Sequence, residues 1–211
     1  MKKIVIVGGG GHSKVVQDII QAGAEYELIA LLDDKYKTRE KRGECIFAPI
    51  SYATELMQAE EEVRFVVAIG DNRVRKQIAE RLASEQARFA ALIHPAAVIS
   101  SSAVVEAGTV VMPYAVIQAD TVVGQHAIIN TAAVVEHDNK IGDFAHISPK
   151  AALTGNVQIA EGVHIGAGAV VIPGKKVEAW SVVGAGSTVI SDLPEGITAV
   201  GTPAKVIQAI Y

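Results

Sequence analysis

Large rings are scarce in this chain: aromatic residues make up 5% of it, with one Trp, five Tyr and four Phe among 211 residues. Half of the composition is nonetheless hydrophobic, and Val, Ile and Ala carry most of that share. A core of this kind must fill its volume with branched aliphatic side chains in repeated layers, not with a few bulky anchors. The single cysteine, Cys45, excludes an internal disulfide and fits a reduced compartment. A lone thiol in this setting reads as a packing residue, not a nucleophile. No apolar run approaches the ~20 residues that cross a bilayer, so no membrane insertion is expected. Met1-Lys2-Lys3 leads into a short apolar stretch and then glycines, without the hydrophobic region or cleavage site of a signal peptide, so the expected location is cytoplasmic. Net charge is −4, the wrong sign for a nucleic-acid partner. Acidic and basic residues balance at 14 each over residues 1–90; the remainder holds five basic and nine acidic residues, which accounts for the whole deficit.

The second half repeats with a period of six. Every sixth residue from Ile93 through Ile99, Val105, Val111, Ile117, Val123, Ile129, Val135, Ile141, Ile147, Leu153, Ile159, Ile165, Val171, Val177 and Val183 to Val189 is Ile, Val or Leu. Neither a helix nor simple strand alternation has that period. A triangular prism does: three short strands make one coil of about 18 residues, and coils stack about 4.8 Å apart as parallel sheets. Each strand sends one aliphatic side chain inward. Residues two earlier are small, among them Ala103, Thr109, Ala115, Thr121, Ala127, Ala133, Asn139, Ala145 and Ala151, as expected beside tight corners. Glycine often follows the aliphatic position, at Gly124, Gly142, Gly166 and Gly184, which suggests sharp turns. The residue just before it points outward and is apolar from Val104 to Val134. It then turns polar at Lys140, His146, Gln158 and His164. An outward apolar stripe suggests a subunit interface.

The first ninety residues follow another plan. Apolar strands are expected at Lys3–Val7, Leu28–Leu32 and Arg64–Ile69, alternating with helices at Lys14–Ala22, Ser51–Glu60 and Arg73–Ser84. That alternation implies a parallel sheet in a small Rossmann-like α/β domain covering 1–90, with the repeat domain at 91–211. Gly8-Gly9-Gly10-Gly11-His12 would set backbone N–H groups at a helix N-terminus, suited to phosphate. Asp33-Asp34 ends the next strand, where acidic groups meet ribose hydroxyls. The spacing departs from the dinucleotide fingerprint, and a mononucleotide such as the UDP of a sugar nucleotide fits better. A strand-to-helix turn without ligand is the alternative, at the entropic cost of four consecutive glycines.

Acyl transfer from a thioester needs a base, donors for an oxyanion and a groove for the pantetheine arm. The candidate base is His137, in Val135-Glu136-His137-Asp138-Asn139, two residues past an inward Val and so at a corner; Asp138 would orient or charge-stabilise the ring. His146 and His164 are 18 residues apart and stack on one face, whereas His137 and His146 are nine apart and lie on different faces. Two subunits are then needed to bring them together. His94, His126 and His164 are expected to be structural or solvated. No spacing recommends a metal site.

The hexad register, the Glu136-His137-Asp138 corner and Gly201-Thr202-Pro203-Ala204-Lys205, together with Gly-Gly-Gly-His12, Asp33-Asp34 and Ile69-Gly70-Asp71-Asn72, resemble the left-handed β-helix acyltransferases. Within them the chain is similar to the sugar O-/N-acetyltransferases of the UDP-N-acetylbacillosamine N-acetyltransferase and sialic acid O-acetyltransferase family. The resemblance implies a left-handed parallel β-helix of hexapeptide repeats, against the usual right-handed crossover, a homotrimer with active sites between subunits, acetyl-CoA as donor without a metal, and a UDP-amino-sugar as acceptor. It implies His137 as base with Asp138 tuning it, although Asp stands here where the bacillosamine enzyme has Glu, and Gly155 N–H facing the thioester oxygen. It implies acetyl-CoA contacts at His146, Ala167 and Ala185, where only backbone contacts carry over, and substrate contacts at Gly10, Gly11, His12, Asp33, Asp34 and Gly70, with Asn130 near the acceptor. N-acetylation of a UDP-4-amino-4,6-dideoxy sugar for polysaccharide or glycan synthesis is the leading expectation. O-acetylation of a sialic-acid-like sugar and a non-enzymatic trimeric scaffold or nucleotide-sensing module are the rivals.

Overall fold

Four consecutive buried residues, Ile4–Val7, give β1 (Lys2–Val7) the continuous apolar character of a strand covered on both faces. The computed structural model describes residues 1–209, and the chain divides into two units, Met1–Pro95 and Ala96 onward. The division falls at Pro95, against the 90 expected from sequence, and the last two residues of the expected repeat domain, Ile210 and Tyr211, lie outside the described residues.

After β1 the first unit continues with α1 (Gly11–Ala22), β2 (Tyr26–Leu32), β3 (Glu40–Arg42), β4 (Cys45–Ala48), a 3₁₀ turn (Ile50–Tyr52), α2 (Ala53–Ala59), β5 (Arg64–Val67) and α3 (Asn72–Ser84). The sheet order is β3-β4-β2-β1-β5, parallel except for the β3–β4 hairpin. Ser13, Val16, Ile19 and Ile20 form the buried face of α1 at helical spacing. The helix opens at Gly11, three residues before the expected start, because Gly10 supplies the extended backbone of the cap. The β3–β4 hairpin was not expected. Its Glu-Lys-Arg strand is fully exposed and carries no apolar alternation; charge of this kind protects a sheet edge. Among the described residues no helix is long and apolar enough to cross a membrane.

From Val98–Ile99 to Thr188–Val189 the second unit is a succession of two-residue strands, one every six residues. Each pairs in parallel with the strand 18 residues away, as Val116–Ile117 does with Val98–Ile99 and Val134–Val135. The result is three sheets that share one interior, a parallel β-helix. Val111, Ile117, Val123, Ile129, Val135, Ile147, Leu153, Ile165, Val171, Val183 and Val189 are wholly buried, each stabilising the fold by roughly 1.5–3 kcal/mol. Ile197–Val200 continues one sheet, and Lys205–Ala209 closes its end antiparallel to that strand.

Three expectations change in detail. The small residues two before each aliphatic position face inward: Ala115, Ala127, Ala133, Ala145 and Ala151 are fully buried, and so are Thr109, Thr121 and Asn139. Strand alternation places residues i and i−2 on the same side. Gly142 and Gly166 owe their place to the coil above. A Cβ would stand 2.6 Å from Glu161 N at Gly142 and 2.5 Å from Ala185 N at Gly166. The left-handed turn residues sit two positions later, such as Phe144 at φ 57° or Gly168 at φ 66°. The outward stripe, continuous in sequence, unrolls onto three faces. Val104, Val122, Lys140 and Gln158 share one; Val98, Val116, Val134 and Ala152 a second; Val110, Ile128, His146 and His164 a third.

Leu153 lies in the middle of the stack and is wholly buried. Denaturant unfolding of Leu153→Ala is expected to show a loss of about 2–5 kcal/mol, and Leu153→Met a loss under about 1.5 kcal/mol.

Candidate functional site

Helix α1 and the loops after β1, β2 and β5 enclose a cavity of about 410 Å³ lined by Gly8–Gly11, His12, Asp33, Asp34, Ile50, Ala68, Ile69, Gly70, Val74 and Ile78. It sits at the carboxyl ends of the parallel strands, where open α/β sheets take ligands. All six residues expected to hold substrate in this domain, Gly10, Gly11, His12, Asp33, Asp34 and Gly70, line it. Gly8 is required by the chain itself: its φ is +105°, and a Cβ would lie 2.8 Å from Ile69 Cγ1. Gly10, Gly11 and Gly70 are different. None has a positive φ, and a Cβ on any of them meets nothing within 4 Å. Neither backbone strain nor internal packing calls for glycine there, and the backbone at these positions lies bare toward the cavity.

The acidic pair anchors this cavity. Asp33 Oδ2 accepts from Gly9 N at 2.6 Å and Oδ1 from Lys35 N at 2.9 Å, while Asp34 Oδ1 accepts from Ile50 N at 3.0 Å. Each carboxylate oxygen keeps a lone pair for a further hydroxyl. His12 Nε2 is buried and makes no hydrogen bond within the described residues. Burial first, and then the charge of Arg75, push the His12 pKa down to about 4, so the ring is neutral at physiological pH. Arg75 is buried, donates to Ile69 O at 2.9 Å and to Asn72 Oδ1 at 2.8 Å, and braces the Gly70 loop.

His137 and Asp138 occupy a corner of the β-helix between Val134–Val135 and Lys140–Ile141. Asp138 takes the left-handed conformation, φ 60°, which is tolerable for Asp and returns its side chain toward the preceding residue. His137 Nδ1 and Asp138 Oδ2 are 2.7 Å apart, so the short aspartate arm reaches the ring. That hydrogen bond raises the His137 pKa above its ordinary value; desolvation opposes it, and the charges of Asp138 and Glu136 add to it. With Nδ1–H directed at the carboxylate, Nε2 is left as the basic atom. Gly155, one coil on, stands over the ring: a Cβ there would lie 2.7 Å from both Cε1 and Nε2 of His137. Its N–H makes no hydrogen bond within the described residues.

His146 lies on a different face, in the strand His146–Ile147. Its ring stacks on His164 with centroids 4.7 Å apart and planes at 8°. Asn130 Oδ1 accepts from Thr131 N, so its amide NH₂ faces His146 Nε2 at 3.0 Å, and Nε2 serves as acceptor. Asn130, expected near the acceptor, is thus a partner of His146 in this chain. His164 is half-buried: beyond the stack, Ser148 Oγ is 2.8 Å from its Nε2. Ala167 and Ala185 are exposed on successive coils at the edge of this face, linked by Gly186 N donating to Ala167 O at 2.8 Å. His126 is buried and stacked on Phe144 with centroids 5.2 Å apart, a packing role. Cys45 is half-buried and its pKa is pushed up by burial, so it stays a thiol. No cluster of three His, Cys, Asp or Glu residues suited to a metal occurs among the described residues.

Residues 3–82 match the PglD N-terminal domain and residues 82–189 the GMPPB C-terminal domain. The solved structure of PerB from Caulobacter crescentus, in complex with CoA and GDP-perosamine, is 37% identical, with a TM-score of 0.91 over 99% of this chain and 98% of that one. The chain belongs to the hexapeptide-repeat sugar acetyltransferases. This sugar acetyltransferase is also 38% identical to the acetyltransferase domain of PglB from Neisseria gonorrhoeae FA1090, solved with acetyl coenzyme A, at a TM-score of 0.89 over 98% of this chain and 99% of that domain. It is 50% identical over 112 residues to the UDP-N-acetylbacillosamine N-acetyltransferase of Bacillus subtilis (strain 168), a match that spans 53% of this chain and about half, 52%, of that relative. In this sugar acetyltransferase the run of short parallel strands is the left-handed β-helix, preceded by a Rossmann-like domain.

Asp138 raises the His137 pKa, so the neutral ring dominates only above that raised value. Asp138→Asn lowers it, and the acidic limb of the kcat/KM profile is expected to move to lower pH while the plateau falls. Gly155→Ala keeps the backbone N–H but displaces the imidazole; kcat is expected to drop by about tenfold or more, measured with acetyl-CoA saturating.

Proposed function

We propose that the protein transfers acetyl from acetyl-CoA to the amine of a nucleotide-linked sugar. The acceptor is a UDP-4-amino-4,6-dideoxy sugar, and the product feeds polysaccharide or glycan synthesis in the cytoplasm. The observation that carries this reading is the exposed corner where Asp138 holds His137 by Nδ1 and Gly155 leaves room over Nε2. His137 takes a proton from the attacking amine, the C–N bond forms, and the thioester C–S bond breaks. The proton then passes to the leaving thiolate. Gly155 N–H, without an acceptor of its own, stabilises the oxyanion.

The nucleotide diphosphate belongs over Gly10 and Gly11 at the start of α1, and the ribose hydroxyls belong at Asp33 and Asp34, which retain lone pairs for them. His12 and Gly70 complete the contacts. Acetyl-CoA runs along His146, with Ala167 and Ala185 at the rim of its groove. His137 and His146 occupy different sides of one helix, so a neighbouring copy supplies the second imidazole. A homotrimer with its sites between subunits meets that requirement. PerB, crystallised with CoA and GDP-perosamine, and the curated bacillosamine enzyme point to an amino sugar as acceptor.

The test is acetyl transfer to a panel of UDP- and GDP-linked sugars bearing 4-amino or 4-hydroxy groups, with mass detection. Acetylation confined to UDP-4-amino sugars is the expected result; equal or better turnover of the 4-hydroxy compounds would move the assignment to O-acetylation. His137→Ala is expected to lose about 100-fold or more in kcat with acetyl-CoA binding intact by calorimetry. Asp33→Ala is expected to raise KM for the sugar nucleotide and leave KM for acetyl-CoA near its original value.

A further inference from the structure

One buried polar side chain lies beneath the His137 corner with no role yet assigned. Asn139 occupies the register that elsewhere holds Ala, Thr, Val or Ser and, once, Lys175; it is the one asparagine in it and is wholly buried. Its amide nitrogen donates to Glu136 O at 2.5 Å and to Thr154 O at 2.9 Å, and its amide oxygen accepts from Val157 N at 3.0 Å. The first bond holds the turn that carries His137. The other two grip the residues on either side of the turn that carries Gly155. A second tie joins the two coils directly, Asn156 N donating to His137 O at 2.9 Å.

We infer that Asn139 is a positioning residue that sets the spacing between the His137 imidazole and the Gly155 N–H by clamping their two coils with one carboxamide. The inference rests on the assignment of His137 as base and Gly155 as oxyanion donor. No smaller residue in this register does the same. Thr121, one coil below at the same corner, donates to Glu136 O at 2.7 Å and accepts from Asn139 N at 3.2 Å, so both of its bonds go to the next coil, the pair that Asn139 makes with Thr154 and Val157 in addition to its bond to its own coil at Glu136. Thr109 makes the equivalent pair at another corner, donating to Gly124 O at 2.6 Å and accepting from Ala127 N at 2.9 Å, away from the chemistry. An amide is longer than a hydroxyl and carries donors and acceptor on separate atoms, so it can serve both coils at once. A shift of a fraction of an ångström between base and oxyanion donor is enough to slow acyl transfer.

The experiment compares kcat, both KM values, the pH–rate profile and thermal midpoint for the full chain carrying Asn139→Ala, Asn139→Thr, Thr109→Ala or His137→Ala. Asn139→Ala is expected to lower kcat about tenfold or more with little change in either KM and with the acidic limb in place, since the His137–Asp138 pair is untouched. Thr109→Ala is expected to lower the thermal midpoint comparably and keep kcat, which separates positioning from stability. Asn139→Thr, a residue this register already accommodates at Thr121, restores one of the two grips and should give an intermediate kcat. It also serves as the readout if Asn139→Ala does not fold. Wild-type kcat in the folded Asn139 variants, with His137→Ala inactive, overturns this inference alone. Wild-type kcat in His137→Ala overturns the assignment of the base.

Discussion

Backbone hydrogen bonds between strands 18 residues apart govern everything in the second unit. Val134 N donating to Ala151 O at 2.9 Å and Glu136 N donating to Leu153 O at 2.9 Å are two rungs of a ladder that continues through the coils. Because the ladder is parallel and in register, each side chain stands over the one a coil earlier. The interior therefore becomes columns of Ile, Val and Leu with no need for aromatic filling. The exterior becomes columns as well. His164 lies over His146, Gly155 over His137, and Gly162 makes way for Trp180, whose ring would lie 2.4 Å from a Cβ placed there. Repetition makes the scaffold; the chemistry is written in single departures from it, at the corners and on one face.

Two imidazoles show how local surroundings divide the work. His137 stands in solvent with a carboxylate on Nδ1, and its pKa rises. His12 is enclosed beside a guanidinium, and its pKa falls to about 4. The first keeps Nε2 exposed and able to take up a proton. The second stays neutral and keeps a nitrogen available for hydrogen bonding in a cavity whose glycines leave the backbone bare. The same residue type thus meets opposite surroundings in the two units, and the difference comes from burial and the sign of the nearest charge.

Much of this was legible beforehand because the period of six is long and unbroken, and because a fixed period makes residue spacing equivalent to position in space. His137 at a corner and His146 stacked with His164 follow from spacing, and the glycine run and Asp33-Asp34 at neighbouring strand ends follow from strand order; Gly70 was named only by the family resemblance. The β3–β4 hairpin was not legible, since an exposed Glu-Lys-Arg strand has no apolar period to detect. Nor was the partner of Asn130, because residues 16 apart meet only through the particular rotamers that aim an amide at His146 Nε2.

By itself the sequence determined the kind of architecture: Ile, Val or Leu at every sixth position can bury its apolar surface only by winding into triangular coils, and alternating apolar and helical segments can do so only around a parallel sheet. Tertiary structure alone decided how neighbours share that framework. It distributed the outward residues over three faces, explained Gly142 and Gly166 by the coil above and not by the turn, and set Asn139 between the two coils of the His137 corner. Those outcomes depend on contacts across a coil at ångström resolution, and a one-dimensional pattern carries the order of such contacts but not their distances.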